Sequence, residues 1–417
     1  MQIQTPLFQK FFSRLLKSPK FQYLKEFQLK LKNGFNINKL DLDINRLQNS
    51  KTRHCQFKMN MLNSDDNDTK LIQRLILHVF RFHKVNHFIT SYSSLQNQNN
   101  QLCSERFISK LQRLSILDLD FSKTRELKPD SYDLLPHLNK LKELNFNFSQ
   151  NNFEDSQFFS KLPALQNIQG LSFDFSLCSN MSDSTKFLQF KQLCQLPELQ
   201  RLDLNFDDCG QMTDSSLRYL SKPLAKLSNL KDVYINLSNL GRITSDGLSH
   251  ILTALNHCQY LNSLEILLKN CPKICSNSVI RIATLLELKK TLKSLSLDFG
   301  GCKLISAEAL QRIIASIAYL RDLENLKLNF RSLSGLEDES IRRMIEAFQL
   351  LKKLKNIHLD FSYCSNMKSG SVENLSRCFR QNKQRFAHIN VDFYGCSEIT
   401  THEIQTFKQQ LMDLTSI

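Results

Sequence analysis

Apolar positions recur along most of the chain as LxxLxLxFxxC. A polar link follows, then a run whose apolar residues stand three and four apart. With Leu202 as reference, the equivalent positions are Leu117, Leu144, Leu171, Leu202, Val233, Leu264, Leu295, Leu326, Ile357 and Ile389. From Leu171 to Ile357 the interval is 31 residues six times in succession; the last interval is 32 and the first two are 27. The LxLxF portion alternates with period two, which predicts a short strand with one face buried. The later portion predicts an amphipathic helix: across 306–320, Ala309, Leu310, Ile313, Ile314, Ile317 and Leu320 fall on one stripe. Asp214, Ser245 or Asp246, and Ser306 precede such runs and are candidate caps for free N–H groups. Glu337, Asp338 and Glu339 open another run and Lys352, Lys353 and Lys355 follow it, matching the helix dipole. A unit of one strand and one helix cannot bury its apolar face alone, so neighbouring units must stack. The predicted fold is an α/β solenoid, with parallel strands on the concave face and helices on the convex face.

The stretches CGQMTDSSL, CKLISAEAL and CSEITTHEI, with the strand motif before them, resemble the leucine-rich repeat superfamily, in its ribonuclease-inhibitor-like and cysteine-containing classes. The resemblance covers 111–417 as about ten units, mostly of 31 residues, and implies a horseshoe that binds other proteins. This chain departs from the family pattern in one respect. The cysteine follows as LxLxFxxC instead of LxLxxC, so a longer strand is expected. Residues 1–110 are expected to form a basic cap of degenerate repeats with polar insertions. YLKEFQLKL (23–31), KLDLDI (39–44) and RLILHV (74–79) are its candidate strands, and 63–69 and 91–101 its loops.

The x positions of the strands project away from the core. The middle column reads Asp120, Asn147, Asp174, Asn205, Asn236, Leu267, Asp298, Asn329, Asp360 and Asp392, nearly all of them poor strand formers. The first column includes Asp118, Asp203, Tyr234, Glu265, Lys327 and His358; the third includes Asp207, Lys269, Arg331 and Tyr394. Across all three columns nine acidic residues face three basic ones. Three readings of the Asp/Asn column stand side by side: a soluble, hydrogen-bonded ladder; a surface for a basic protein or peptide, repelling nucleic acid; and cation coordination. A specific contact zone is expected where the face is chemically varied, because aromatic residues and Arg carry most hot-spot energy. The candidate partner-binding residues are Asp174, Asp203, Asp207, Tyr234, Glu265, Lys269, Asp298, Lys327, Arg331, His358, Asp360, Asp392 and Tyr394. Exchanging Asp298 and Asp360 for Lys is expected to weaken a basic partner while leaving the fold nearly intact.

Composition narrows the rest. The net charge is +15, and residues 1–110 hold 18 Lys/Arg against 7 Asp/Glu. Lys10, Arg14, Lys17, Lys20 and Lys25, interleaved with Phe8, Phe11, Phe12, Leu15, Leu16 and Phe21, fit a cap helix, a contact with acidic surfaces, or a mitochondrial transit segment. Twelve cysteines are too sparse for a disulfide scaffold, and no secretory signal or apolar run of spanning length is present. A cytoplasmic setting is the simplest expectation. Cys178, Cys209, Cys271, Cys302, Cys364 and Cys396 share one register with Leu240 and Leu333, which points to packing under a turn rather than to metal. No phosphate-binding glycine loop, nucleophile elbow or zinc-protease motif occurs. His78, His83 and His87 lack a completing ligand nearby, and Cys103 lacks a nearby base. No enzyme, cofactor or metal is expected. The leading function is a protein-interaction module or scaffold. The alternatives are a substrate-recognition adaptor in a ubiquitin-ligase complex and a regulator of a small GTPase.

Overall fold

The computed structural model describes the strands at 26–31, 55–61 and 85–91, and residues 112–415 apart from 113, 124–134, 152–156, 182–186 and 188. The chain divides into two compact units, one of residues 1–178 with 195–199, the other of 179–194 with 200–417. The expected strands at 39–44 and 74–79, the loop at 63–69, the basic N-terminal segment, His78, His83 and Cys103 lie outside the described residues.

In the first unit six parallel strands pair in chain order: β1 (Glu26–Leu31), β2 (Cys55–Met61), β3 (Val85–Ser91), β4 (Ile116–Asp120), β5 (Glu143–Asn147) and β6 (Gly170–Asp174). The strand expected at 23–31 is β1. β2 and β3 are not among the expected strands, and their register shifts between Cys55 and Gln56. β4, β5 and β6 align Leu117, Leu144 and Leu171, as the 27-residue interval requires.

The second unit repeats strand and helix seven times. Its strands are β7 (Arg201–Asn205), β8 (Asp232–Asn236), β9 (Ser263–Leu267), β10 (Ser294–Asp298), β11 (Asn325–Asn329), β12 (Asn356–Asp360) and β13 (His388–Asp392). All pair parallel with their chain neighbours, and Leu202, Val233, Leu264, Leu295, Leu326, Ile357 and Ile389 stand opposite one another. The helices are Asp214–Leu224, Ser245–Asn256, Ser276–Leu288, Ala307–Ile317, Asp338–Leu350, Ser369–Gln381 and Thr401–Thr415. The fold is an α/β solenoid, as the period predicts.

The core lies between strands and helices. The phenylalanine that closes each LxLxF is fully buried, and successive rings stack along the array. Phe299 lies 6.2 Å from Phe330 with planes 7° apart, and Phe330 lies 6.3 Å from Phe361 at 11°. Leu237 and Leu268 fill the same column where Phe is missing. The parallel ladder runs past each strand, as the displaced cysteine suggests. The Phe299 amide donates to Asn329 O at 2.9 Å and the Gly301 amide to Arg331 O at 2.9 Å.

Two of the expected caps shift by one residue. The residues that cap are Thr213 and Thr244, whose hydroxyls accept from the Ser215 and Asp246 amides at 3.2 Å, while Ser306 caps as expected. Asp214 instead reaches the next repeat, accepting from the Thr244 amide at 2.7 Å and its hydroxyl at 2.6 Å. Gly247 makes room for it, since a Cβ there would come within 2.8 Å of the Asp214 Cα. Asp338 repeats the device, accepting from the Lys368 amide at 3.1 Å.

Candidate interaction surface

In most strands burial alternates as the period requires, so the first and middle columns face outward, with Ser296 and Asn236 as buried exceptions. The third is mixed: Lys269 and Tyr394 are exposed and Ser238 and Ser362 are buried.

The middle column has a structural task. In nine strands its Asp or Asn Oδ1 accepts the backbone N–H two residues on. The acceptors are Asp120, Asn147, Asp174, Asn205, Asn236, Asp298, Asn329, Asp360 and Asp392, at 2.8–3.1 Å. This Asx turn ends the regular strand. The residue three positions after the column then takes a positive φ in every unit, from Lys123 at 61° to Gly395 at 74°. Asp and Asn therefore stand at a strand end where their poor strand propensity matters little and their short acceptor is needed.

The cysteines sit one residue past that turn. Cys178, Cys271, Cys302, Cys364 and Cys396 are buried, and each Sγ donates to the carbonyl of the preceding repeat's Phe or Leu at 3.0–3.2 Å. Burial pushes the thiols up, Cys271 to about 11 and Cys302 and Cys364 to about 12. These sulfurs tie repeat to repeat and are poor nucleophiles.

Other candidate carboxylates are also engaged within the face. Asp203 pairs with Arg201 at 3.5 Å, Asp207 accepts from Asn239 Nδ2 at 2.7 Å, and Glu265 accepts from Ser296 Oγ at 2.9 Å. Asp298 accepts from Asn329 Nδ2 at 3.0 Å, and burial raises its carboxyl above the ordinary value. Each carboxylate keeps a fixed position on the ladder.

Two groupings stand out on β9–β13. The first is an open groove of about 690 Å³ over the first column, where Glu265, Ser296, Lys327, His358 and Asn390 lie in register. His358 Nδ1 and Asn390 Nδ2 are 3.0 Å apart, and Asn356 donates to Asn325 at 2.5 Å along the groove edge. The second is aromatic. The Arg331 guanidinium lies 4.4 Å above the Tyr363 ring, which meets Tyr394 edge-on at 5.5 Å. Tyr363 is 43% exposed and Tyr394 64%. Tyr363 holds a φ of 60°, a region costly for a bulky side chain. A Cβ on Gly395 would strike its ring, so that glycine leaves the ring its place.

The structure thus gathers Glu265, Lys327 and His358 in the groove, and Arg331 and Tyr394 in the aromatic cluster. Asp298, Asp360 and Asp392 lie in the column between, Lys269 and Asp207 stand two residues past β9 and β7, Asp203 and Tyr234 belong to β7 and β8, and Asp174 belongs to the other unit. Sequence reasoning missed Tyr363. Its signal is its place three residues after Asp360, a turn position held elsewhere by Asn239, Asn270 and Gly301 and also by Leu177 and Lys123, where it is the one aromatic among the described units. Among the described residues no three His, Cys, Asp or Glu side chains converge as a metal site, and no helix is long and apolar enough to cross a membrane.

Fold and face together define a repeated α/β solenoid with parallel strands, compatible with a leucine-rich-repeat protein. No family model and no curated protein matches the chain. Among solved structures it is similar to a chain of the yeast Rad7 and Elc1 complex, with 16% identity, 81% of this chain and 90% of that chain covered, and a TM-score of 0.39. It is also similar to a chain of the Drosophila Toll–Spatzle complex, with 14% identity, 89% of this chain and 54% of that chain covered, and a TM-score of 0.35. Likenesses this loose carry no residue roles across.

Proposed function

We propose that the chain is a non-enzymatic protein-interaction module whose partner docks on the strand face of β9–β13. The observation that supports this most is the Arg331–Tyr363–Tyr394 cluster beside the open first-column groove. Exposed tyrosines and a stacked Arg are the side chains that give binding energy at low entropic cost. The positive φ at Tyr363 belongs to the turn shared by the described units; what sets this unit apart is the exposed ring stacked under Arg331.

The groove then supplies polar register. Glu265, Lys327, His358 and Asn390 present an acid, a cation, a titratable ring and an amide at strand spacing. The middle-column carboxylates keep the surface acidic and favour a partner with basic side chains facing Asp298, Asp360 and Asp392. Their Asx bonds mean that they shape the face as well as charge it.

The test is a pulldown comparing wild type with Arg331→Ala/Tyr394→Ala and with Asp360→Asn. Asn keeps the Oδ1 acceptor, which Lys would remove. Loss of the same protein with the first variant, and weakened capture of a basic protein with the second, is the expected result. Equal recovery by all three would remove the strand face from consideration.

A further inference from the structure

The opposite ends of the repeats carry a second ordered surface. Leu288, Tyr319 and Leu350 are 31 residues apart and stand at, or two residues past, the C-termini of three consecutive helices. They are 63%, 52% and 45% exposed, although the equivalent repeats offer polar residues there, His257 and Gln381. Two residues further on in each repeat comes a cation: Lys290, Arg321 and Lys352, all exposed. One apolar row and one cationic row therefore run side by side across three repeats.

Helix dipoles account for cations at helix C-termini. They do not account for the apolar row, which leaves about half or more of each side chain exposed and costs solubility. The nearby acids are occupied: Glu287 pairs with Arg312, Asp322 accepts from Lys353 at 2.6 Å, and Glu324 from Lys355 at 2.9 Å. Arg321 Nη1 donates to Leu350 O at 3.0 Å, which fixes the two rows against each other.

We propose that this rim is a peripheral contact for an anionic lipid surface. Leu and Tyr side chains flanked by Lys and Arg match the apolar and charged layers of a lipid interface. The rim's shape favours lipid over protein. Three exposed side chains fall short of the roughly 1,000 Å² that a specific protein interface needs, whereas a headgroup layer takes up a small apolar and cationic row without shape matching.

The experiment is flotation of the full chain with phosphatidylserine/phosphatidylcholine vesicles, against phosphatidylcholine alone, at low ionic strength. Wild type is expected to float with the anionic vesicles and to be released by salt. Lys290→Glu/Lys352→Glu should lose at least about twentyfold in partitioning, each cation contributing roughly fivefold. Leu288→Ser/Leu350→Ser should also lose binding, with urea midpoints confirming that both variants fold. Asp360→Asn, on the strand face, should float as wild type does. Three outcomes overturn the proposal: no preference for anionic vesicles, unchanged binding by both rim variants, or retention on an acidic polypeptide matrix without vesicle binding.

Discussion

Replacing Asp360 separates its two possible roles, acceptor and charge. Its Oδ1 accepts from the Ser362 amide at 2.9 Å and the Ser362 hydroxyl at 2.5 Å, and Ser362 is fully buried. Alanine at 360 would leave both donors without that acceptor, away from water. A buried donor so stranded costs about 1–3 kcal/mol. Asp360→Ala should therefore lose about 2–3 kcal/mol, since the two donors share one acceptor and their costs overlap. Asp360→Asn keeps Oδ1 and should stay within about 0.5 kcal/mol of wild type, a typical surface change. Leucine, tolerated at 267 where Lys269 is exposed, should cost as much as alanine at 360, because Ser362 cannot turn to water. Urea unfolding gives the differences, and amide exchange at Ser362 localises them, which matters in a repeat array that need not unfold in one step. Equal losses for Asn and Ala would show that charge decides the position, and no loss for Ala would show that the turn needs no acceptor.

Phe330→Ala should destabilise the second unit by about 3–5 kcal/mol and Phe330→Leu by far less, because Leu237 and Leu268 already serve in that column; urea midpoints check both. The Cys275 thiol is half-exposed and lowered by its bond to the Ser245 hydroxyl, so iodoacetamide at neutral pH should label it well before Cys271, Cys302 or Cys364, as peptide mass spectrometry would show. Burial raises the Asp298 carboxyl, so folding favours its protonated form. Its contribution to stability is full below the unfolded carboxylate value and fades as pH rises through the folded value. Against Asp298→Leu, wild-type urea midpoints should thus gain relative stability on acidification across that window.

Most of the second unit was legible because its period is strict. The 31-residue interval fixes which leucines share a sheet position, and the strand registers from β7 to β12 repeat it. What failed was local. Thr213 and Thr244 cap one residue earlier than expected because Asp214 and Ser245 are each drawn to the next repeat, Asp214 to Thr244 and Ser245 to Cys275 and Ser278. β2 and β3 escaped notice because Phe57, Met59, Phe88 and Thr90 stand where later repeats carry the LxL leucines: CQFKMNM alternates strictly but lacks that signature, and VNHFITS alternates weakly. The Asp/Asn column was visible as a column, but its ladder, partner and cation readings could not be separated without the Asx bonds to residue i+2. Tyr363 went unread because its importance comes from the Arg331 guanidinium of the preceding repeat and from Tyr394 of the next, which the sequence does not bring together. The lipid-facing row needed helix ends, since Leu288, Tyr319 and Leu350 look like ordinary stripe residues until the helices are seen to stop there.

The central claim is that a partner docks on the β9–β13 strand face. Photo-crosslinking residues placed at Lys327, His358 and Tyr394, with Ile280 on the helix side as control, test it in native extract. One discrete crosslinked protein is expected from the three face positions and none of it from Ile280. The same protein captured from Ile280 alone, or equally from all four positions, would contradict it.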